Sequence, residues 1–209
     1  MPVVNNRLTV TSIALFAGFA ALLSAADAPR FVPGAAASYP TRQTVDKVTI
    51  AAVPFNSDEL TRVPFGKVDP NKHSILPVLV VIQNDSGRAL RLDSIKIQYV
   101  APNRAKLEPI LAKDLPYLSE VKLPGIENSP LPTGVPMRSR KNNPLADPQF
   151  DLRAFSAKML PPGEKASGFF YFQTYDRRGA TIYVSGIREA NSGKELFYFE
   201  IPLSDGSTP

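Results

Sequence analysis

The chain of 209 residues contains no cysteine and no tryptophan, and it has a single histidine. Without cysteine there can be no disulfide, no thiolate metal site and no cysteine nucleophile. With one histidine and no cysteine, a structural zinc site of the common His/Cys type is excluded as well. The phosphate-binding motifs Gly-x-x-x-x-Gly-Lys and Gly-x-Gly-x-x-Gly are also absent. The sequence therefore predicts no cofactor and no metal, and it favours a protein that is not an enzyme.

A hydrolase with an unrecognised site is the alternative, and it would depend on the one histidine. His73 would have to serve as the base for a serine, with Asp69 or Asp85 orienting the imidazole. The neighbouring Ser74 is a poor nucleophile for this base, because adjacent side chains of an extended segment point to opposite sides. No Gly-x-Ser-x-Gly elbow occurs either. A solvated loop histidine is the simpler interpretation.

Residues 1–28 have the pattern of an export signal. Arg7 precedes a mostly apolar run over residues 8–23, and the segment ends in small side chains. Cleavage after Ala26 or Ala28 would satisfy the need for small side chains at positions −3 and −1. If uncleaved, the same run would be just long enough for a membrane anchor. We expect an exported protein, periplasmic or extracellular, without a membrane span after cleavage; a membrane-tethered accessory domain is the alternative.

The composition divides the rest of the chain into three parts. Residues 29–44 are rich in proline and alanine, which predicts a flexible tether. A β-sandwich domain is predicted over residues 45–203, followed by a short tail at 204–209. Within the domain, residues 119–150 contain six prolines and no strand or helix pattern. We call this stretch the proline-rich excursion, and long loops of this kind are typically binding loops or disordered insertions.

Alternating hydrophobicity predicts the strands before the excursion. Residues 45–53 alternate and predict one half-buried strand, and Ser57 is placed to cap a short helix after it. Residues 75–83 are apolar on both faces, which predicts a central strand covered on both sides. Residues 90–100 change phase midway. A bulge near residues 93–94 is expected there, because otherwise half of the apolar side chains would face water.

Three four-residue segments predict hairpin turns between apolar runs. They are Asn84-Asp85-Ser86-Gly87, Asp176-Arg177-Arg178-Gly179 and Ala190-Asn191-Ser192-Gly193. In each, the final glycine can adopt the positive φ that closes the loop. The second and third of these turns follow the excursion, and they would separate three strands, the first and last of which contain consecutive aromatic residues. We expect those aromatics to be core, with Leu196 and Tyr198 on one face and Phe197 and Phe199 on the other.

The fold class that best fits is all-β. The prediction is an immunoglobulin-like antiparallel β-sandwich of about seven strands with a long proline-rich insertion; a jelly roll or an open barrel is the alternative. Three runs carry a resemblance to exported bacterial proteins of unknown function with an immunoglobulin-like fold: Ile75-Leu76-Pro77-Val78-Leu79-Val80-Val81-Ile82-Gln83-Asn84, Pro161-Pro162-Gly163 leading to Gly168-Phe169-Phe170-Tyr171-Phe172, and Glu195-Leu196-Phe197-Tyr198-Phe199. The resemblance implies fold and export, and it implies no catalytic residue.

These features predict a non-catalytic exported protein that binds or braces another component of the cell envelope. Nucleic acid is not expected as a partner, because no aromatic residues interleave with the densest basic cluster. That cluster lies within the proline-rich excursion, close to several apolar side chains that a purely flexible spacer would not need. The candidate partner-binding residues of this loop are Leu131, Val135, Met137, Arg138, Arg140 and Lys141.

Overall fold

Antiparallel strands dominate the parts of the chain that the computed structural model describes, residues 31–118 and 143–203. In these residues the strands are β1 (Arg42–Val45), β2 (Val48–Pro54), β3 (Leu76–Asn84), β4 (Leu90–Arg91), β5 (Lys96–Val100), β6 (Lys106–Leu107), β7 (Met159–Leu160), β8 (Lys165–Phe172), β9 (Thr181–Ser185), β10 (Arg188–Glu189) and β11 (Phe199–Pro202). Sheet A has the order β1-β2-β3-β8, sheet B the order β10-β4-β7, and sheet C the order β11-β9-β5-β6. This arrangement of several antiparallel sheets is consistent with the predicted β-sandwich.

Strand β3 is the centre of sheet A, as its two apolar faces predict. It pairs along its length with β2 on one side and with β8 on the other. Val78, Val80 and Ile82 point into a core shared with sheets B and C. Leu79 and Val81 point into a second core on the opposite face. All five side chains are almost completely buried, and burying each contributes about 1.5–3 kcal/mol.

The first core lies between sheet A and the two other sheets. Its largest side chains are Tyr99, Phe172 and Phe199, and the rings of Tyr99 and Phe172 lie 5.8 Å apart. The inward residues of β9, Ile182 and Val184, alternate with outward polar and aromatic residues. This core is therefore built by the period-two alternation that the sequence displays.

Short helices cover the second face of sheet A. We call them the helical cover: α1 (Asp58–Phe65), α2 (Gln149–Arg153) and four 3₁₀ turns at Ala36–Ser38, Pro70–His73, Ala112–Tyr117 and Pro144–Ala146. Phe65 of α1 stacks on Phe150 of α2 at 5.0 Å and packs on Phe169 of β8 at 4.9 Å. The predicted cap of α1 is confirmed, because Ser57 Oγ accepts a hydrogen bond from the Leu60 amide at 3.4 Å.

The stretch predicted as a flexible tether is folded from residue 31 onward, so that prediction is corrected for residues 31–44. Ala36 is fully buried, and Phe31 packs edge-on against Phe55 with ring centroids 5.8 Å apart. Strand β1 pairs with β2 across a two-residue turn at Asp46 and Lys47, both with positive φ. The strand predicted at residues 45–53 is therefore β2 from Val48 onward, while residues 45–47 are the end of β1 and the turn that leads into β2. Residues 31–44 show no strong alternation of apolar and polar side chains, because only a few of their side chains reach the core.

The predicted strand at residues 90–100 is instead two strands in different sheets. Strand β4 belongs to sheet B and β5 to sheet C, and a turn closed by the Ile95 amide and the Leu92 carbonyl, 3.1 Å apart, separates them. The phase change in the sequence is real, but its cause is a passage between sheets and not a bulge. Gly186 makes this passage feasible, since an added Cβ there would lie 2.2 Å from the Ser94 carbonyl oxygen.

Only one of the three predicted hairpin turns joins strands that pair with each other. Gly87, Gly179 and Gly193 all have positive φ, as predicted. The third turn is a hairpin, in which the Glu189 amide donates to the Lys194 carbonyl at 2.9 Å. The first turn leads from sheet A to sheet B, and the second from sheet A to sheet C. Turn chemistry thus located the reversals correctly, but it does not determine which strands pair.

Candidate binding surface

The six candidate residues of the proline-rich excursion lie outside the described residues: Leu131, Val135, Met137, Arg138, Arg140 and Lys141. The residues on the two sides of the undescribed stretch 119–142 are hydrogen-bonded to each other. Asn143 Nδ2 donates to the Pro116 carbonyl at 2.6 Å, and Asn143 Oδ1 accepts from the Leu145 amide at 3.0 Å. We call this junction the stem. Because of it, the described residues before 119 and after 142 lie together in the helical cover.

The described part of the excursion, residues 143–150, contributes to the core, which corrects the prediction of a wholly irregular stretch up to residue 150. Leu145 and Phe150 are buried in the second core beside Leu115. Prolines open the turn at Pro144–Ala146, where a missing N–H costs nothing because the first amides of a helix have no internal partner. The number of prolines alone therefore led to an overestimate of how many residues of the excursion are irregular.

The outer face of sheet C carries the most prominent exposed aromatic cluster of the described residues. The rings of Tyr183 and Tyr198 stack with centroids 5.3 Å apart and planes inclined by 27°. Lys106 Nζ lies 5.8 Å from the centroid of the Tyr183 ring. Tyr198 is 52% exposed and its neighbour Phe197 is 72% exposed. We call Lys106, Tyr183, Phe197 and Tyr198 the aromatic face.

The alternation of buried and exposed residues is interrupted at residues 196–199, and this places the rings of Phe197 and Tyr198 on the solvent side. Leu196 is buried, and its amide donates to the Ile187 carbonyl at 2.8 Å. Phe199 is also buried, as the first residue of β11. Two inward residues separated by three positions leave Phe197 and Tyr198 on the solvent side. The prediction that Phe197 shares the core face with Phe199 is wrong, because residues 196–198 are not part of a regular strand.

The charges on the strands of sheet C are few and mixed. Lys96 of β5, Lys106 of β6 and Glu200 of β11 are exposed, and the exposed Glu108 follows β6. The amide of Gln98 donates to Glu108, and the Glu200 backbone amide donates to Gln43 of β1. Two cations and two anions together produce no strong field of either sign. Recognition at this face would rest on the aromatic rings and on local polar contacts.

The groups of the alternative hydrolase are not assembled. His73 ends the turn at Pro70–His73, while the Ser74 hydroxyl pairs with the Tyr175 hydroxyl at 2.7 Å. Asp69 Oδ1 accepts from the Asn71 amide at 3.0 Å, as the cap of the same turn. Asp85 contacts Gln83 and not His73. Among the described residues, no three His, Cys, Asp or Glu side chains are grouped so that they could hold a metal ion.

Two buried tyrosines titrate abnormally, and both have structural roles. Burial raises the pKa of Tyr171 far above the ordinary range, and its hydroxyl donates to the Phe150 carbonyl at 2.8 Å. Burial also raises the pKa of Tyr99, whose hydroxyl accepts from the Arg177 amide at 3.2 Å. Both hydroxyls fix backbone segments: the first holds α2 on β8, and the second holds the loop after β8.

The chain was compared with protein families, curated proteins and solved structures. No family model matches the chain, and no curated protein matches it. Among solved structures, a secreted protein of Mycobacterium tuberculosis, MPT63, is similar at 13% sequence identity and a TM-score of 0.32. The match covers 80% of this chain and 95% of that one. Within the described residues, no helix is both long enough and apolar enough to span a membrane.

Proposed function

We propose that the protein is an exported, non-catalytic, immunoglobulin-like β-sandwich that binds another protein of the cell envelope. The observation that carries the proposal is the exposed Tyr183–Tyr198 stack beside Phe197 on sheet C. Aromatic side chains are enriched at protein interfaces, and a few of them usually supply most of the binding energy. Export rests on the signal pattern of residues 1–28, which lie outside the described residues.

The aromatic face is suited to binding because folding does not require it. The core residues of β9 and β11 point inward, so the rings on the outer side add little to the packing between sheets A and C. Single exposed apolar residues are ordinary on soluble proteins. Here two stacked tyrosines and a consecutive phenylalanine occupy neighbouring positions, with a lysine over one ring. Covering a phenylalanine completely would contribute about 1.5–3 kcal/mol to an association.

The proline-rich excursion is the second proposed contact element, with Leu131, Val135 and Met137 as apolar contacts and the basic run from Arg138 to Lys141 as a steering charge. The stem at Asn143 supports this, because it holds the described residues on the two sides of 119–142 together. The test is to replace residues 124–141 with a short Gly-Ser linker, which keeps the stem and the buried Leu145. If the domain still folds and partner crosslinking is lost, the excursion binds. If crosslinking and folding are both unchanged, the excursion has no part in binding.

The aromatic face is tested by photocrosslinking in native envelopes. A photoreactive amino acid replaces Tyr198 in one variant and Val63 in a control variant; Val63 is exposed on α1, in the helical cover. We expect one discrete adduct from position 198 and none from position 63. The adduct should disappear when Phe197→Ser is added. Equal labelling from both positions, or none from position 198, would contradict the proposal.

A further inference from the structure

One edge of sheet A is only half covered. Strand β8 pairs with β3 on its inner side. On its outer side the Ile110 amide donates to the Tyr171 carbonyl at 2.7 Å, and the Phe155 amide donates to the Phe169 carbonyl at 3.1 Å. These two bridges protect the C-terminal half of the strand. They leave its N-terminal half, residues 165–167, as an edge.

The backbone groups of this edge point outward. In an antiparallel strand, successive residues direct their N–H and C=O groups to opposite sides. Since Phe169 and Tyr171 direct theirs outward, Ser167 and Lys165 do the same. No other described segment bonds to these outward groups. Natural proteins usually cover or interrupt such an edge, because it is a template for another strand.

A groove of about 230 Å³ runs beside the same edge. Its lining includes Phe31, Leu79, Leu152, Arg153, Ser156 and Ser167. Arg153 is the only charged residue in this lining, and no acidic residue contributes to it. One guanidinium donor goes to the Phe31 carbonyl at 2.9 Å, and a guanidinium has five donors in all. The Lys165 ammonium, 2.7 Å from the Pro33 carbonyl, adds a second cation at the edge.

We propose that this half of β8 accepts an extended peptide segment as an added strand, and that an acidic side chain of the peptide pairs with Arg153. Backbone bonding at a strand edge is specific for extended polypeptide, while the adjacent groove selects the side chains. The basic lining selects for negative charge, and a carboxylate can accept two parallel hydrogen bonds from a guanidinium. This site lies on sheet A and shares no residue with the aromatic face of sheet C, so it stands apart from the proposed function.

The test uses a displayed library of random linear decapeptides, selected against the full protein. We expect the enriched peptides to carry an acidic residue at a constant position. Synthetic versions are then methylated at one backbone amide at a time. Methylation should weaken binding at every second position, because only alternate amides face the edge. Failure to enrich any peptide, or equal losses at consecutive positions, would overturn the proposal.

Two further measurements locate the site. Peptide binding should slow hydrogen exchange of the Ser167 amide, whereas the amide of Gly168, which faces β3, should be little affected. Arg153→Gln should weaken an acidic peptide about tenfold, and should leave its Glu→Gln analogue unchanged. Should Arg153→Gln unfold the protein, Arg153→Lys replaces it; this variant keeps the charge but loses the parallel donors, and it should weaken the acidic peptide while leaving the Gln analogue unchanged. The double variant Phe197→Ser/Tyr198→Ser should bind the peptide normally. Protection of other amides but not Ser167 would place the peptide elsewhere and refute the assignment.

Discussion

The outer faces of sheets A and C both carry aromatic residues, but the two faces differ in what covers them. On sheet A, Phe169 and Tyr171 lie under the helical cover and are almost completely buried. On sheet C, Phe197 and Tyr198 are mostly exposed, and Tyr183 is half-buried. The first face completes a core. The second presents similar side chains to solvent, where they are available to a partner.

The difference comes from segments remote in sequence. Residues 169–172 and 196–199 are both apolar and aromatic runs, and local pattern does not tell them apart. What buries the first run is α1 and α2, which precede β8 and pack together over it. No described helix packs over the second run. Similar aromatic runs can therefore be buried or exposed, depending on which distant segments pack over them.

The largest expected effect tests whether the helical cover is part of the core. Phe169→Ala should lower the free energy of unfolding by about 3–5 kcal/mol, since it removes a ring that contacts Phe31, Phe55 and Phe65. Phe197→Ala on the uncovered face should change it by about 0.5 kcal/mol or less. Urea denaturation of both variants measures the contrast. A loss below about 1 kcal/mol for Phe169→Ala would mean that the cover is only loosely attached.

The next effect concerns the place where the chain passes from the helical cover to sheet B. An added Cβ on Gly168 would lie 2.4 Å from the Phe155 Cα, so Gly168→Ala must displace that crossing. We expect a loss of about 1–3 kcal/mol. Gly87→Ala is the control, because only its positive φ opposes a side chain, at a cost of about 1 kcal/mol. Equal losses in thermal melts would argue against close packing at the crossing.

Alkaline pH should loosen the covered face through Tyr171. Its pKa is raised in the folded protein, while the unfolded value is about 10. The stability that Tyr171 contributes is therefore complete below about pH 10 and is lost as pH rises above it, by up to about 1.4 kcal/mol per pH unit. Tyr171→Phe should make this decline shallower, at a cost of about 1–2 kcal/mol at neutral pH for the unpaired Phe150 carbonyl.

Unfolding monitored between pH 8 and 12 checks this expectation. Tyr117→Phe is the matched control, since that ring is 84% exposed, and its profile should follow that of the natural chain. A Tyr171→Phe profile as steep as the natural one would show that other groups govern alkaline unfolding.

The smallest stability effect is expected at the stem. Asn143→Ala removes the bond to the Pro116 carbonyl and the cap on the Leu145 amide, and should cost about 0.5–2 kcal/mol. Asn143→Asp keeps the cap but not the donor, so it should lose less. Thermal melts of the two variants separate the contributions. If neither variant changes the melting temperature, the stem does not hold the ends of the excursion together.

Local physics was sufficient for some elements of this fold. The two apolar faces of residues 75–83 identified the central strand, and Ser57 identified the start of α1, because both depend on neighbours in sequence. Strand partners were not predictable, since the turns at Gly87 and Gly179 have hairpin chemistry but connect different sheets. That residues 31–44 are folded was not predicted either, because their structure depends on contacts with distant aromatic residues.

The candidate binding surface was harder to predict than the fold. The aromatic run at residues 196–199 was visible, but alternation assigned Phe197 to the core. Its exposure follows from the irregular backbone at residues 196–198, which has no clear sequence signal. Nothing in the sequence indicated that β8 has an unpaired edge either. Whether a strand is central or at an edge depends on pairings between residues far apart in the chain.

Hydroxyl-radical footprinting tests the central claim most directly, because it compares exposure of the same side chains in the purified protein and in native envelopes. The account predicts that Phe197 and Tyr198 react readily in the purified protein and become strongly protected in envelopes. Met159 of β7, which is 53% exposed in sheet B, should react equally in both. Unchanged reactivity of Phe197 and Tyr198 in envelopes would contradict the account, and so would equal protection of all three residues.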